Sequence, residues 1–517
     1  MIGNLTLSDN LIIFIYFAIV LFIGILGSRG KDQTAKDYFL AGRNMGWFII
    51  GASLFATNIS SEHLVGLAGA GSVHGLSVGH FEWLAVIILF FLGWVFAPVF
   101  LRSNVYTMPE YLGKRYNQNC RKYLAIISLA AYFFTKIAVT LLAGGYLLNK
   151  VLGLDMFSSV VMLVLLTGLY TVIGGLNSVM KTHVFQTIVL VLGSLCVTIF
   201  GLVEVGGFSG LTSSLPSDYF SVFKSVSDPE FPWTGILFGA PILGIWYWCT
   251  DQYIVQRILS AKGIEAARKG TLFAAFLKIL PLFLFVLPGL IAAVLYPQVK
   301  GDEAFTLLIS GELLPNGIKG FVIAGLFAAL MSSLASAFNS SATLITIDFF
   351  KPRKPTATDN ELVLVGRLST TLVVLLAIVI IPLLKMVNNH IYLYLQNIQA
   401  YISPPIASVF IIGILWSKAT GKGAFWALMT GGTIGIIKIA LTFLDDSIIN
   451  TVAVFQMLES INYLHFAIFL FLISTVILVV VSLVDKKTIS EKFELENLMI
   501  HQKDLRPKTA NSYIKHK

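Results

Sequence analysis

Three ionisable residues stand inside long apolar runs of this 517-residue chain. An uncompensated charge in a membrane span costs several kcal/mol, so each needs a partner or a task. Lys278 lies in AAFLKILPLF, about seven residues into its run, which at about 1.5 Å per residue is about 10 Å deep. Its ammonium either reaches back to the near interface along its apolar stem or faces a polar cavity and donates to ligand oxygens. Glu82, in GHFEWLAVI, stands near one end of its run beside Trp83. It is either an interfacial carboxylate or an acceptor for ligand hydroxyls. Lys136, in FFTKIAV, reads as a structural cation with Asp251 as its candidate partner.

Two strings of small and hydroxyl-bearing residues point to ion chemistry. In FATNISSEHLVGLAGAG, residues 55–71, Asn58, Ile59, Ser60 and Ser61 compete with the helical backbone or stiffen it, and Gly66, Gly69 and Gly71 follow. The string reads as a helix with an unwound middle; the plainer alternative is an intact helix with a small-residue packing face. Unwound backbone at membrane depth is tolerated where it lines a cavity, and its carbonyls can coordinate Na⁺. The run 233–256 carries Gly235, Gly239, Pro241 and Gly244 as breakers of a second interrupted helix. In AALMSSLASAFNSSATLITID, residues 328–348, six hydroxyl or amide side chains crowd one span from Ser332 to Ser341. Sodium is a hard cation that takes oxygen ligands, although hydroxyls also bond back to their own helix.

A sugar presents hydroxyls around an apolar ring face. Its recognition wants amides, a carboxylate, a cation and an aromatic platform. Asn58, His63, Glu82, Lys278, Gln396, Tyr247 and Trp248 supply that set if the fold brings them together. Spacing along the chain does not establish that it does.

The elements that must position these residues are membrane helices. Hydrophobic residues make up 56% of the chain and charged residues 12%; a soluble protein carries about 25% charged residues. Thirteen spans are expected, at about 10–28, 47–73, 77–101, 122–148, 156–174, 183–205, 233–256, 271–296, 317–349, 362–386, 391–416, 422–443 and 462–484. The first is preceded by Asp9 and followed by Arg29 and Lys31, the reverse of a secretory signal. With the N-terminus outside, Lys and Arg concentrate in cytoplasmic segments, as around Arg102, Arg115, Arg257, Lys269 and Arg353, while Asp218, Asp228, Glu230, Asp302, Glu303, Asp445 and Asp446 fall in outer loops. The net charge of +9 is therefore topological and no nucleic-acid footprint is expected. Cys120, Cys196 and Cys249 occur in unrelated contexts and suggest neither a disulfide framework nor a metal cage. The tail after residue 485 reads as a disordered or loosely helical cytoplasmic end.

The strings DYFLAGRNMGWFIIGASLFATNISSEH, HFEW, YTMPEYLGKRY, YTVIGGLNSV, WYWCTDQYIVQRILSAK and ALMSSLASAFNSSATLITIDFF occur in this order. On them the chain resembles the sodium–glucose cotransporters of the sodium:solute symporter family, from about residue 35 to 430. The resemblance implies an all-α polytopic membrane protein with a LeuT-type core of two inverted five-helix repeats, here 47–205 and 233–416. A helix and loop over 1–46 precede the core, an outer loop at 206–232 joins the repeats, and two further helices over 417–485 and a tail over 486–517 follow. It implies a sodium site from the carbonyls of Ala56, Ile59 and Ala329 and the hydroxyls of Ser332 and Ser333. It carries the sugar contacts to Asn58, His63, Glu82, Lys278 and Gln396, with Tyr247 beneath the sugar and Trp248 beside it. Leu67, Phe81 and Tyr392 match the outer apolar gate.

Two departures qualify the resemblance. His183 stands where the family usually has an aspartate on the ion path, and Ala335 stands where some members have a hydroxyl, while Ser336 is kept. One sodium per sugar is therefore expected, with an unusual pH dependence if His183 titrates near neutrality. Gly244 replaces a polar side chain found near the sugar in some relatives. The implied activity is sodium-driven import of a hexose-like sugar through the cell membrane. Na⁺ is the coupling ion, no organic cofactor is expected, and no protein partner is inferred. Symport of inositol or another small polar solute, and a sugar-gated sensor or channel, are the alternatives. No H-E-x-x-H, G-x-S-x-G or paired intramembrane aspartate supports an enzyme.

Overall fold

The computed structural model describes residues 5–28, 34–298, 301–381, 391–442, 444, 451–485, 497–501 and 504; the side chains of Ser28, Ile391, Tyr392 and Tyr394 are outside that description. Among the described residues there are helices and no strands. In the hydrocarbon layer a helix satisfies its own backbone, so an apolar sequence with this composition folds as a bundle. Among the described residues, ten helical stretches are long and apolar enough to cross a membrane. Twelve of the thirteen expected spans map onto them with two fusions, and 233–256 matches none of them. Residues 156–174 and 183–205 share the stretch Met156–Glu204, and 77–101 shares Glu62–Ser103 with the second half of 47–73. The first half of 47–73 is a separate short apolar helix, Trp47–Asn58, and 233–256 is divided into pieces.

Eight helices frame the site: α1 (Leu7–Ser28), α2 (Trp47–Asn58), α3 (His80–Phe91), α4 (Met156–Glu204), α5 (Gln252–Leu259), α6 (Ile264–Leu277), α7 (Ile318–Leu344) and α8 (Ile391–Leu415). The core is α7, in which every residue from Val322 to Leu344 is buried. It packs along α4 and α1 and against α2. The small residues of its sequence permit this. Gly325 approaches the backbone of Val189 and Leu190 on α4, where a Cβ would lie 3.3 Å from the Val189 carbonyl.

Helix α4 is long enough for two crossings because it breaks at Gly175, where φ is 55° and ψ −149°. A Cβ there would meet the Tyr38 carbonyl oxygen at 2.5 Å, on backbone that cannot move aside cheaply. Gly175→Ala is expected to cost about 2 kcal/mol or more of stability, from strain at positive φ plus that collision. A thermal-shift measurement of the purified protein checks this, and an unshifted melting temperature contradicts it.

Helix α2 stops as its sequence suggests. Asn58 is its last residue, Ile59 is extended with ψ 115°, and helical structure resumes at Glu62–Leu67. The second interruption lies elsewhere than expected. Pro241 stands in the first turn of the short helix Ala240–Gly244, where its missing N–H leaves no bond unmade, and the chain continues helically through Ile245–Thr250. The break comes at Asp251, with ψ 127°, whose carboxylate accepts from the Tyr253 N–H and so caps α5. The N-cap, rather than the glycines or the proline, ends the helical path.

The tail is more ordered near residue 500 than its composition suggests. Leu498 is buried and its carbonyl accepts from the Tyr111 hydroxyl at 2.7 Å. Ile500 donates to the Ile414 carbonyl at the end of α8. Asp504 takes both carboxylate oxygens to Arg102 at 3.1 Å, and its carbonyl accepts from Arg268 on α6. Charge-assisted bonds to two arginines hold a segment that lacks a long apolar run.

Candidate functional site

The break after Asn58 leaves the carbonyls of Ala56 and Thr57 without the N–H groups that a continued helix would supply. Side chains of neighbouring helices replace them. Ser332 Oγ, on α7, lies 2.8 Å from the Ala56 carbonyl oxygen and 3.0 Å from that of Ala329. Ser333 Oγ donates to the Ile59 carbonyl at 3.2 Å. The Tyr253 hydroxyl, just past the second break, reaches the Thr57 carbonyl at 2.9 Å and the Ser333 carbonyl at 3.3 Å. All five residues expected to hold sodium thus converge in one buried oxygen cluster at the C-terminal end of α2. A helix C-terminus carries partial negative charge, which suits a cation.

Beside this cluster, on the other side of Asn58, lies a cavity of about 60 Å³. Asn58, His63, Glu82, Tyr247, Trp248, Lys278 and Gln396 all line it. Lys278 caps the end of α6 and does not snorkel. It is 1% exposed, donates to Asn58 Oδ1 at 2.6 Å and pairs with the Glu82 carboxylate. Glu82, in the first turn of α3, has its other oxygen 3.3 Å from His63 Nε2. His63 Nδ1 lies 3.5 Å from the Ser60 nitrogen and 3.9 Å from Glu62 Oε1. Asn58 Nδ2 donates to the Tyr247 hydroxyl at 3.1 Å.

Lys136 does not pair with Asp251. Its Nζ lies 3.6 Å from Glu62 Oε2 and 4.7 Å over the Tyr247 ring. Asp251 instead accepts from the Tyr132 hydroxyl and the Tyr253 N–H. Position in a span fixes depth, and it leaves the direction around the helix open. The contacts close into a circuit around the cavity: Lys136, Glu62, His63, Glu82, Lys278, Asn58, Tyr247 and back to the Lys136 ammonium through the ring face. Buried charges require this kind of pairing to persist.

Of the outer-gate residues, Phe81 lines the cavity, Leu67 is fully buried and is not part of the lining, and the side chain of Tyr392 lies outside the described residues. His183 stands apart from the cavity, fully buried on α4, with Nδ1 2.9 Å from Ser53 Oγ. Two polar lining residues escape sequence reasoning, Glu62 and Gln399. Gln399 lies three positions after Gln396 on α8, and that helical spacing was its signal. Glu62 adjoins His63 within the string read for its helix-breaking character.

The sodium:solute symporter family profile matches residues 38–431. The chain is 39% identical to sodium/glucose cotransporter 4 of Danio rerio, over 93% of this chain and 79% of that protein. It is 38% identical to sodium/myo-inositol cotransporter 2 of Homo sapiens, over 92% of this chain and 76% of that one. Among solved structures, a Na⁺-coupled sialic acid symporter in a substrate-bound outward-open state superimposes with a TM-score of 0.79 at 22% identity, covering 93% of this chain and 98% of that one. The last comparison establishes the LeuT-type fold of this multi-pass membrane protein. The chain belongs to the sodium:solute symporter family and is a sodium-coupled solute transporter, not an enzyme.

Proposed function

We propose that this protein imports a neutral, hexose-like sugar together with one Na⁺ by alternating access. The observation that carries this reading is the closed circuit around the cavity, in which two carboxylates, Glu62 and Glu82, are matched by two ammonium groups, Lys136 and Lys278. With Lys136 paired to Glu62 from outside the lining, the four charges cancel and favour neither an acid nor a base, and the donors and acceptors of the lining suit hydroxyls. Tyr247 and Trp248 add aromatic surface for an apolar ring face.

Sodium occupies the oxygen cluster in this reading, held by the carbonyls of Ala56, Ile59 and Ala329 and the hydroxyls of Ser332 and Ser333. The two serines now donate to those carbonyls. A cation among them turns both hydroxyl hydrogens away and makes all five oxygens ligands. The unwound stretch thereby becomes fixed against α7. Asn58, the last residue of α2, adjoins that stretch and lines the cavity. Seating the ion therefore raises the population of the state in which Asn58 is placed for the sugar, which is coupling by differential affinity. One charge moving through about 100 mV contributes roughly 2.3 kcal/mol, and a tenfold sodium gradient adds about 1.4 kcal/mol. Together these support a sugar gradient of several hundredfold.

A single sodium is proposed because His183 replaces the aspartate that the family usually places on the ion path, and Ala335 a hydroxyl. The N-terminus is placed outside and the C-terminus in the cytoplasm by the distribution of Lys and Arg. A cyclic polyol is the second reading, favoured by the identity to the myo-inositol cotransporter.

Proteoliposomes with an inward sodium gradient test the proposal with D-glucose, D-galactose and myo-inositol. The expected result is uphill accumulation of a hexose, abolished without sodium, and a reversal potential that shifts with a sodium-to-sugar ratio of one. Sugar-stimulated sodium leak without accumulation would identify a gated channel. Preference for myo-inositol overturns the hexose assignment, and a ratio of two overturns the single sodium.

A further inference from the structure

Two carboxylates, the buried Glu82 and the partly exposed Glu62, border the cavity and are held differently. Both oxygens of Glu82 are engaged, one by Lys278 and the other by His63 at 3.3 Å. Glu62 is held loosely. Its Oε2 is 3.6 Å from Lys136 Nζ and its Oε1 is 3.9 Å from His63 Nδ1, while its side chain is 12% exposed. Charge-assisted N–H···O bonds are about 2.7–2.9 Å long, so these are Coulombic neighbours that leave lone pairs of Glu62 unused. Glu62 lines the cavity, and so does Gly244, which contributes no side chain to it.

From this geometry we infer that Glu62, steered by Lys136, is a second hydroxyl-reading carboxylate that helps set which polyol the cavity prefers; the inference rests on the sugar reading given above. A ligand hydroxyl entering there donates to the unused lone pairs of Glu62, whose carboxylate Lys136 holds from outside the lining. Lys136 is fixed for that task because its ammonium sits 4.7 Å over the Tyr247 ring and 5.7 Å over that of Tyr253. The cavity then reads hydroxyls at two stations, Glu82 with Lys278 and Glu62 alone, with His63 between the two carboxylates. A polyol with hydroxyls matching both stations is preferred over one that matches a single station. A purely structural ion pair makes the opposite forecast, since it responds equally to every ligand.

The test is a set of monodeoxy derivatives of the transported hexose, assayed with wild-type protein and with Glu62→Gln in proteoliposomes under an inward sodium gradient. The variant keeps size and hydrogen-bonding capacity and loses the charge. The KM for the parent sugar is expected to rise about tenfold or more, from weakening one hydrogen bond to a charged group. The sodium half-saturation is expected to stay within about twofold of wild type, because Glu62 does not touch the oxygen cluster. One deoxy sugar, lacking the hydroxyl read by Glu62, is expected to have the same KM in both proteins. A shift by the same factor for every deoxy sugar, or an unchanged KM for the parent, overturns the inference and leaves the sugar reading standing. Absence of sodium-dependent uptake of any sugar by wild type overturns both. Glu62→Asp, which keeps the charge on a shorter arm, carries the test if Glu62→Gln fails to reach the membrane. It is expected to keep the discrimination among deoxy sugars at reduced affinity.

Discussion

Lys278→Met is expected to abolish sodium-driven accumulation and to destabilise the protein by about 3–5 kcal/mol. The Lys278 ammonium is buried and serves two partners, Asn58 Oδ1 at 2.6 Å and the Glu82 carboxylate. Its removal leaves Glu82 buried with only His63 for company. Most of the cost is the penalty of that stranded charge, not the net worth of the pair. The double variant Lys278→Met/Glu82→Gln therefore regains most of the lost stability while remaining inactive, because both hydroxyl-binding charges are gone. Thermal unfolding in detergent reads the first quantity and uptake reads the second. A single variant as stable as wild type would remove Lys278 and Glu82 as a mutually dependent pair.

Ser332→Ala is expected to raise the sodium concentration for half-maximal uptake by about 10- to 100-fold, the loss of one interaction with a charged species of roughly 1.5–3 kcal/mol. Ser332 is singled out because its oxygen bridges the break and α7, lying 2.8 Å from the Ala56 carbonyl and 3.0 Å from that of Ala329. Ser333→Ala is expected to act in the same direction and less strongly, since its hydroxyl reaches a single carbonyl, that of Ile59, at 3.2 Å. Measuring uptake against sodium at saturating sugar separates this effect from lost expression, which lowers the maximum without moving the midpoint. An unmoved sodium midpoint in both variants places the ion elsewhere.

The fold and much of the cavity were legible in the sequence because membrane burial exposes its exceptions. Lys278 and Glu82 stand out in apolar runs, and Asn58 to Ser61 stand out in a helix. Each of those signals is local, and each maps to a feature of the structure. What escaped is non-local or depends on which of several local rules prevails. Gly235, Gly239, Pro241 and Gly244 looked like breakers, yet proline in a first helical turn does no harm, and the capping carboxylate of Asp251 ended the helix instead. Asp251 also looked like the partner of Lys136. Depth alone could not choose it over Glu62, because the rotation of each helix is set by packing against its neighbours. Small residues made α7 readable as a tightly packed helix, but the identity of the carbonyls facing Ser332 and Ser333 is a property of two helices meeting.

The docked residues near position 500 have a mechanical consequence. Contacts of Leu498, Ile500 and Asp504 reach Tyr111, Arg102, Arg268 and the end of α8, so this short strap ties segments far apart in sequence. A pull applied at Leu498, Ile500 or Asp504 is delivered first to those helix ends. Attachment sites for immobilisation are better chosen at a point the strap does not bear on.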